Sequence, residues 1–277
     1  MSYKTIVVHL DCGSRRSERL DLALHFAKQF DARLIGLFAL DLYVGMPRTA
    51  DAGCILVESE LQRREACMRE AEEEFFIRCA RYSAKAEWRF ADEDAVAELV
   101  FAASSADLIV IGQTHPETCA EDGVRASFAS EVVLTAGKPV LIVPYAGHFE
   151  GIGKRTMVAW NTGREAGLAL ADSLPVLERS AFVDVVSFED GGVELSTDEE
   201  ARSAVKTYLQ DHGVNATIRR CVGENCTAGE LILAHACDEN ADCIVMGAYG
   251  KSRMDDPEDG VTRTVMKFMA VPVIMSH

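Results

Sequence analysis

A chain of 277 residues is long enough for two domains that each bury a core, and 48% hydrophobic with 26% charged residues is the balance of a soluble globular protein. A net charge of −16 repels phosphate backbones and anionic lipid, which argues against nucleic-acid and membrane-surface roles. No apolar run reaches spanning length, and the first eleven residues lack the basic-then-apolar order of an export signal, so the expected address is the cytoplasm.

In chain order, residues 4–10 form an apolar strand, 11–14 a turn, and 18–30 a helix whose Leu20, Leu22, Leu24, Phe26 and Ala27 give a broad buried face. Residues 32–40 are a second strand, 41–52 a loop rich in small residues, and 57–81 a long charged helix whose Glu72, Glu73 and Glu74 read as a solvated face. Strands at 85–90, 108–112 and 139–144 alternate with helices at 93–104 and 126–136. After a glycine-bearing linker at 146–154 the pattern restarts. Strands at 155–160, 181–188, 215–222, 243–246 and 271–275 alternate with helices at 164–177, 197–211, 227–240 and 262–269, with a loop at 191–196. Thr197 followed by Glu200 has capping-box spacing. Alternating strands and helices imply parallel pairing through right-handed crossovers, and so an α/β fold of two tandem doubly wound, Rossmann-like, five-stranded parallel-sheet domains.

The restart is a true repeat. Ala106-Asp107-Leu108-Ile109-Val110-Ile111-Gly112 matches Ala241-Asp242-Cys243-Ile244-Val245-Met246-Gly247 at five of seven positions, and Lys138 to Pro144 echoes Val271 to His277. The period is about half the chain, so the expected domains are 1–146 and 153–277. Nine cysteines without a C-x-x-C pair fit neither a disulfide framework nor a zinc spacing and read as reduced apolar residues, with Cys12, in a Gly-Ser loop, the most exposed.

The second copy points to a ligand. In doubly wound sheets ligands bind beyond the carboxyl ends of the strands. Gly247 and Gly250 follow a buried strand, where glycine permits positive φ and close approach of a ligand, and Gly260 opens a helix whose free N–H groups favour an anion.

These residues resemble the universal stress proteins, in particular the tandem type with two such domains on one chain. The resemblance rests on the A-D-x-I-V-x-G strand, the terminal P-V strand and the glycine motif: Gly247 and Gly250 three apart, then nine residues from Lys251 to Asp259, then Gly260. It implies a stress-response protein with ATP as cofactor, held by Ala159, Trp160 and Asn161 at the end of one strand, by Phe188 against the adenine, and by Met246, Gly247, Gly250, Gly260, Val261 and Thr262. It also implies that the strands near 139–143 and 272–274 meet, forming an internal pseudo-dimer, with a further homodimer and an unidentified protein as possible partners.

The chain departs from the pattern in four places. Val261 replaces a hydroxyl residue, Asn161 replaces an aspartate, and Asp255, Asp256, Glu258 and Asp259 fill the loop beside the expected phosphates, where Mg²⁺ would have to offset their charge or Arg253 and Arg263 would have to counter it. In the first half, His115-Pro116 and Ala126 stand where the pattern has glycines, though Asp11 and Ser127 are kept, so that half reads as a structural partner. Three functions follow: a nucleotide-responsive binding protein, an interaction protein of the same fold with glycines serving only tight turns, and, least supported, a slow ATPase, since no catalytic set stands out.

Overall fold

The computed structural model describes residues 2–42, 44, 53–91, 94–149, 151–190, 198–223, 226–250 and 260–277. Most of the loops at 41–52 and 191–196, the Thr197 cap, Arg253 and the acidic stretch Asp255 to Asp259 lie outside these residues. The chain divides into two compact units, Ser2–Lys138 with His148–Gly151, and Pro139–Gly147 with Ile152–His277.

The first unit contains β1 (Thr5–Leu10), α1 (Arg16–Phe30), β2 (Arg33–Ala39), α2 (Gly53–Tyr82), β3 (Ala86–Ala91), α3 (Ala95–Ala103), β4 (Leu108–Gly112), α4 (Cys119–Asp122) and α5 (Phe128–Thr135). Its strands run parallel in the order β3-β2-β1-β4, with Val7 level with Ile35 on one side and Ile109 on the other. Ile6, Val7, Val8 and Leu10 are fully buried, as a central parallel strand covered on both faces requires. α4 was not expected; it is a single turn ended by Gly123 at φ 89°. Glu74 is not on a solvated face, because it pairs with Arg16 at 3.1 Å and Arg78 at 2.8 Å.

The second unit contains β5 (Val140–Val143), β6 (Arg155–Trp160), α6 (Arg164–Asp172), α7 (Leu174–Leu177), β7 (Phe182–Asp190), α8 (Asp198–Asp211), β8 (Ala216–Gly223), α9 (Ala228–Asp238), β9 (Cys243–Gly247), α10 (Val261–Phe268) and β10 (Val273–Ser276). The strand order is β5-β10-β9-β6-β7-β8, parallel except where β5 meets β10 antiparallel with Ile274 opposite Leu141. Residues 139–147, grouped by sequence with the first half, thus lie in the second unit. The helix expected over 164–177 is two helices: Pro175 lacks an N–H and its ring clashes with the carbonyl four residues earlier, so the chain restarts at buried Ser173.

The repeated Ala-Asp pair has a structural cause in both units. The Asp107 carboxylate accepts the Lys4 and Thr5 N–H groups at 2.7 and 2.9 Å, and Asp242 accepts those of Gly153 and Lys154, both at 2.9 Å. Each aspartate satisfies donors at the entry of a neighbouring strand and fixes its register.

Candidate functional site

In the second unit the ends of β6, β7 and β9 and the start of α10 enclose a cleft of about 290 Å³, near the lower limit of small-molecule pockets. Ala159, Trp160 and Asn161 come from the end of β6, Phe188 from β7, and Met246, Gly247 and Gly250 from β9 and the turn after it. Val261 and Thr262 come from the first turn of α10, and Gly260 is that helix's N-cap at φ −63°, ψ 140°. A glycine cap offers no side chain to the first-turn N–H groups, which leaves an anion-favouring end facing the cleft.

Positive φ explains neither of the first two glycines. Neither Gly247 nor Gly250 has positive φ; the left-handed residue of this turn is Tyr249, at φ 53°. A Cβ on Gly247 would lie 2.5 Å from the Ala166 nitrogen and the Glu165 carbonyl carbon, so Gly247 admits the start of α6 against the end of β9. Among the described residues, a Cβ on Gly250 would meet only the Glu165 carboxylate, at 3.3 Å. Tyr249 is held in place by its N–H, which donates to the Thr262 hydroxyl at 3.0 Å, and by its ring, which packs edge-on against His277. Thr262 therefore ties the turn to α10, and its hydroxyl proton remains able to donate.

Asn161 closes a small turn, its side-chain oxygen accepting the Gly163 N–H at 2.9 Å. Its amide N–H₂ is the group left for a ligand. The Trp160 indole N–H is buried with no partner among the described residues. Ala166, Ala228 and Ile232 add apolar lining, and Glu165 adds an anion that sequence reading missed. Glu165 is 19% exposed, with Arg164 the nearest recorded cation at 3.8 Å. Its place in the first helical turn after Asn-x-Gly was the available signal. Arg263 sits exposed on α10.

The matching end of the first unit is filled. Asp11 repeats the turn, accepting the Gly13 N–H at 2.9 Å, but it is buried and bonded by Arg19 at 2.7 Å. Burial pushes the Asp11 carboxyl upward, yet Arg19, with a further contribution from His9 and the Gly13 N–H, outweighs it and holds the carboxyl below its usual value. The Arg19 guanidinium fills the space a Cβ on Gly112 would need. Burial lowers His9 to about 4. The Ser127 hydroxyl donates to Glu131 at 2.5 Å, and Glu131 also binds Arg125 at 2.6 Å, so the expected anion-binding hydroxyl faces a carboxylate. His115 opens the turn leading into α4, its carbonyl accepting the Thr118 and Cys119 N–H groups.

The eight described cysteines are free. Cys12 is half-buried, while Cys226 and Cys237 are exposed; the turn after β1 packs against α2 and covers the loop that looked open in sequence. No helix among the described residues is long and apolar enough to cross a membrane.

Comparison with known proteins places this architecture. No curated protein matches the chain in sequence. Among solved structures, a universal stress protein from Archaeoglobus fulgidus superposes with a TM-score of 0.73 at 18% identity, covering 98% of this chain and 95% of its own. A functionally unknown protein from Pseudomonas aeruginosa PAO1 superposes at 0.58 with 16% identity over 99% and 92% of the two chains. A Pseudomonas aeruginosa protein described as a putative universal stress protein gives 0.58, 16%, 99% and 93%. At these identities the likeness is one of fold. The sequence profile of the universal stress protein family matches residues 2–144, just over half of the chain, and the chain belongs to that family.

Proposed function

We propose that the chain is a tandem universal stress protein, two copies of one domain at 1–146 and 153–277, whose second copy binds ATP and whose role is regulatory rather than catalytic. The observation that carries this reading is the cleft where strand ends, an indole N–H without a partner among the described residues and a glycine-capped helix start converge. Ala159 and Phe188 offer apolar surface to an adenine, the Asn161 amide a donor to the ribose, and the first-turn N–H groups of α10 with the Thr262 hydroxyl donors to phosphate. Mg²⁺, shared between phosphates and the carboxylates of Asp255, Asp256, Glu258 and Asp259, would offset their mutual repulsion. The proposed address is the cytoplasm, and a protein partner reads the nucleotide state.

Calorimetric titration of the full chain with ATP tests this. Binding should depend on Mg²⁺ and vanish in Gly250→Val, whose branched side chain would occupy the cleft beside Glu165. Converting the four loop acids to amides should tighten binding in metal-free buffer. If the folded amide variant binds no millimolar ATP with or without Mg²⁺, the nucleotide reading is wrong. The alternative is then an interaction protein of the same fold, a reading favoured by Gly247, whose contact with the α6 backbone already requires glycine. Phosphate release during the titration would instead indicate a slow ATPase.

A further inference from the structure

Outside the strand-end cleft, the described residues bring two thiols together from positions far apart in sequence. Cys12 lies in the turn after β1 and Cys67 in the middle of α2, both half-buried and both free. They line one cavity of about 360 Å³ together with Gly13, Arg16, Arg63 and Glu70. The Arg16 guanidinium is central to it. One nitrogen donates to the Cys67 sulfur at 3.4 Å and to the Asp11 carbonyl at 3.1 Å, and the same carbonyl lies 3.8 Å from the Cys67 sulfur. The cavity thus holds two thiols, two guanidinium groups and room for a small polar reactant.

We propose that Cys12 and Cys67 form a hydroperoxide-reactive dithiol, with Cys67 the attacking sulfur and Cys12 the resolving one. A hydrogen bond with Cys12 draws the Cys67 thiol below its ordinary range, against burial, and the charge and hydrogen bond of Arg16 act in the same direction. The same contact with Cys67, together with burial, pushes Cys12 upward, and the Arg16 hydrogen bond at 3.4 Å makes Cys67 the sulfur whose negative charge a cation stabilises. The neighbouring Asp11 carboxylate opposes the Cys67 thiolate, but Arg19 already pairs with it at 2.7 Å.

The chemistry balances with one hydroperoxide. The Cys67 thiolate attacks the terminal peroxide oxygen, the O–O bond breaks, and the leaving oxyanion takes a proton to become water or an alcohol. Cys67 is then a sulfenic acid, oxidised by two electrons, and the peroxide is reduced by two. Cys12 next attacks the Cys67 sulfur, an S–S bond forms, the S–O bond breaks, and the departing hydroxide takes the Cys12 proton as water. The disulfide would tether the turn after β1 to α2. Arg16 can stabilise the thiolate before the first step and the leaving oxyanion during it. Four other cysteines differ: burial pushes Cys79 up to about 11 and raises Cys243 as well, and the exposed Cys226 and Cys237 have no recorded cation partner among the described residues.

The test uses the reduced full chain, treated with one equivalent of hydrogen peroxide, capped with an alkylating agent and digested without reductant for mass spectrometry. The expected product is a peptide cross-linked through Cys12 and Cys67. Cys12→Ser should instead carry a dimedone-trappable sulfenic acid on Cys67. Arg16→Gln, checked for native circular dichroism, should slow alkylation of Cys67 near neutral pH by roughly tenfold through the smaller thiolate fraction. Cys226 or Cys237 oxidised ahead of an unmodified Cys67, or an unchanged Cys67 alkylation rate in folded Arg16→Gln, would overturn the proposal.

Discussion

At the end of β1 the Asp11 carboxylate accepts the Gly13 N–H at 2.9 Å, and at the end of β6 the Asn161 side-chain oxygen accepts the Gly163 N–H at the same distance. From this shared turn the units diverge. In the first, Arg19 reaches from α1 to neutralise Asp11 and to fill the room beside Gly112. In the second, no cation among the described residues pairs with Asn161, α6 lays its backbone against Gly247, and the described residues leave a cleft. The family profile matches residues 2–144, the half whose strand end is filled. Family membership says nothing by itself about which strand end takes a ligand.

The largest expected effect breaks the filled end. Arg19→Ala removes the 2.7 Å ion pair of the buried Asp11 carboxylate and should cost about 3–5 kcal/mol in urea unfolding, because among the described residues only the His9 imidazole, at 3.7 Å, remains as an ion-pair partner beside the surviving charge. It should not create ATP binding in the first unit, since Glu131 still occupies the Ser127 hydroxyl. A loss under 1 kcal/mol would mean that water replaces Arg19 and that the end is less closed than its burial indicates.

Acid should find the same asymmetry. His9 titrates at about 4 when folded and near 6.5 when unfolded, so the unfolded chain binds the extra proton and stability falls as pH drops from 6.5 toward 4. The full shift corresponds to about 3 kcal/mol. Asp11, held below its usual value, contributes above its unfolded pKa of 3.8 and loses that contribution as pH falls further. Melting between pH 7 and 4 should therefore show the loss, and His9→Gln should flatten it across that window.

Gly247→Ala should destabilise the second unit by about 1–3 kcal/mol, because the new methyl meets helix backbone that cannot rotate away. Gly250→Ala should be nearly neutral in thermal melting, its methyl facing, among the described residues, only the end of Glu165. Equal costs would show that the cleft wall, and not the α6 contact, sets the glycine requirement.

Those glycines mark where sequence reading stops. Strands were legible because apolar runs such as Ile6 to Val8 and Cys243 to Met246 are used in burial within a parallel sheet. The cleft residues were legible because they follow strand ends. The reason for Gly247 was not, since positive φ, ligand approach and helix contact all ask for the same missing Cβ, and the left-handed conformation fell on Tyr249. Arg19 was hidden for a similar reason: within a helix of leucines it reads as surface until its partner Asp11 is brought beside it. Pro175, by contrast, carried its signal openly and breaks the helix where its missing N–H requires. The contact between Cys12 and Cys67 depends on packing across 55 residues and leaves no local pattern.

Within the open end, Glu165 is the sharper probe of ligand charge. Its carboxylate lines the cleft, so Glu165→Gln should tighten ATP binding by a factor of roughly five to ten, about 1 kcal/mol for one like charge removed from a partly solvated site. The gain should shrink with added salt. Weaker binding in calorimetry would instead assign Glu165 a metal-mediated or hydrogen-bonding role toward the nucleotide.

The smallest effect comes from exchanging the residue that distinguishes the two turns. Asn161→Asp keeps the oxygen that accepts the Gly163 N–H, and Asn161 is exposed, so the added charge is hydrated and stability should change by less than about 0.5 kcal/mol. The reciprocal Asp11→Asn strands the buried Arg19 guanidinium and should cost several times more, because no second carboxylate among the described residues is recorded within ion-pair distance of it. The pair of variants separates the turn, which both side chains can make, from the charge, which only the first unit has compensated. ATP affinity adds a second readout for Asn161→Asp. If the position faces ribose hydroxyls, the carboxylate accepts their hydrogen bonds and binding strengthens; if it faces phosphate, like charges meet and binding weakens. An affinity unchanged in both low and high salt would remove residue 161 from the ligand site and leave it a turn residue alone.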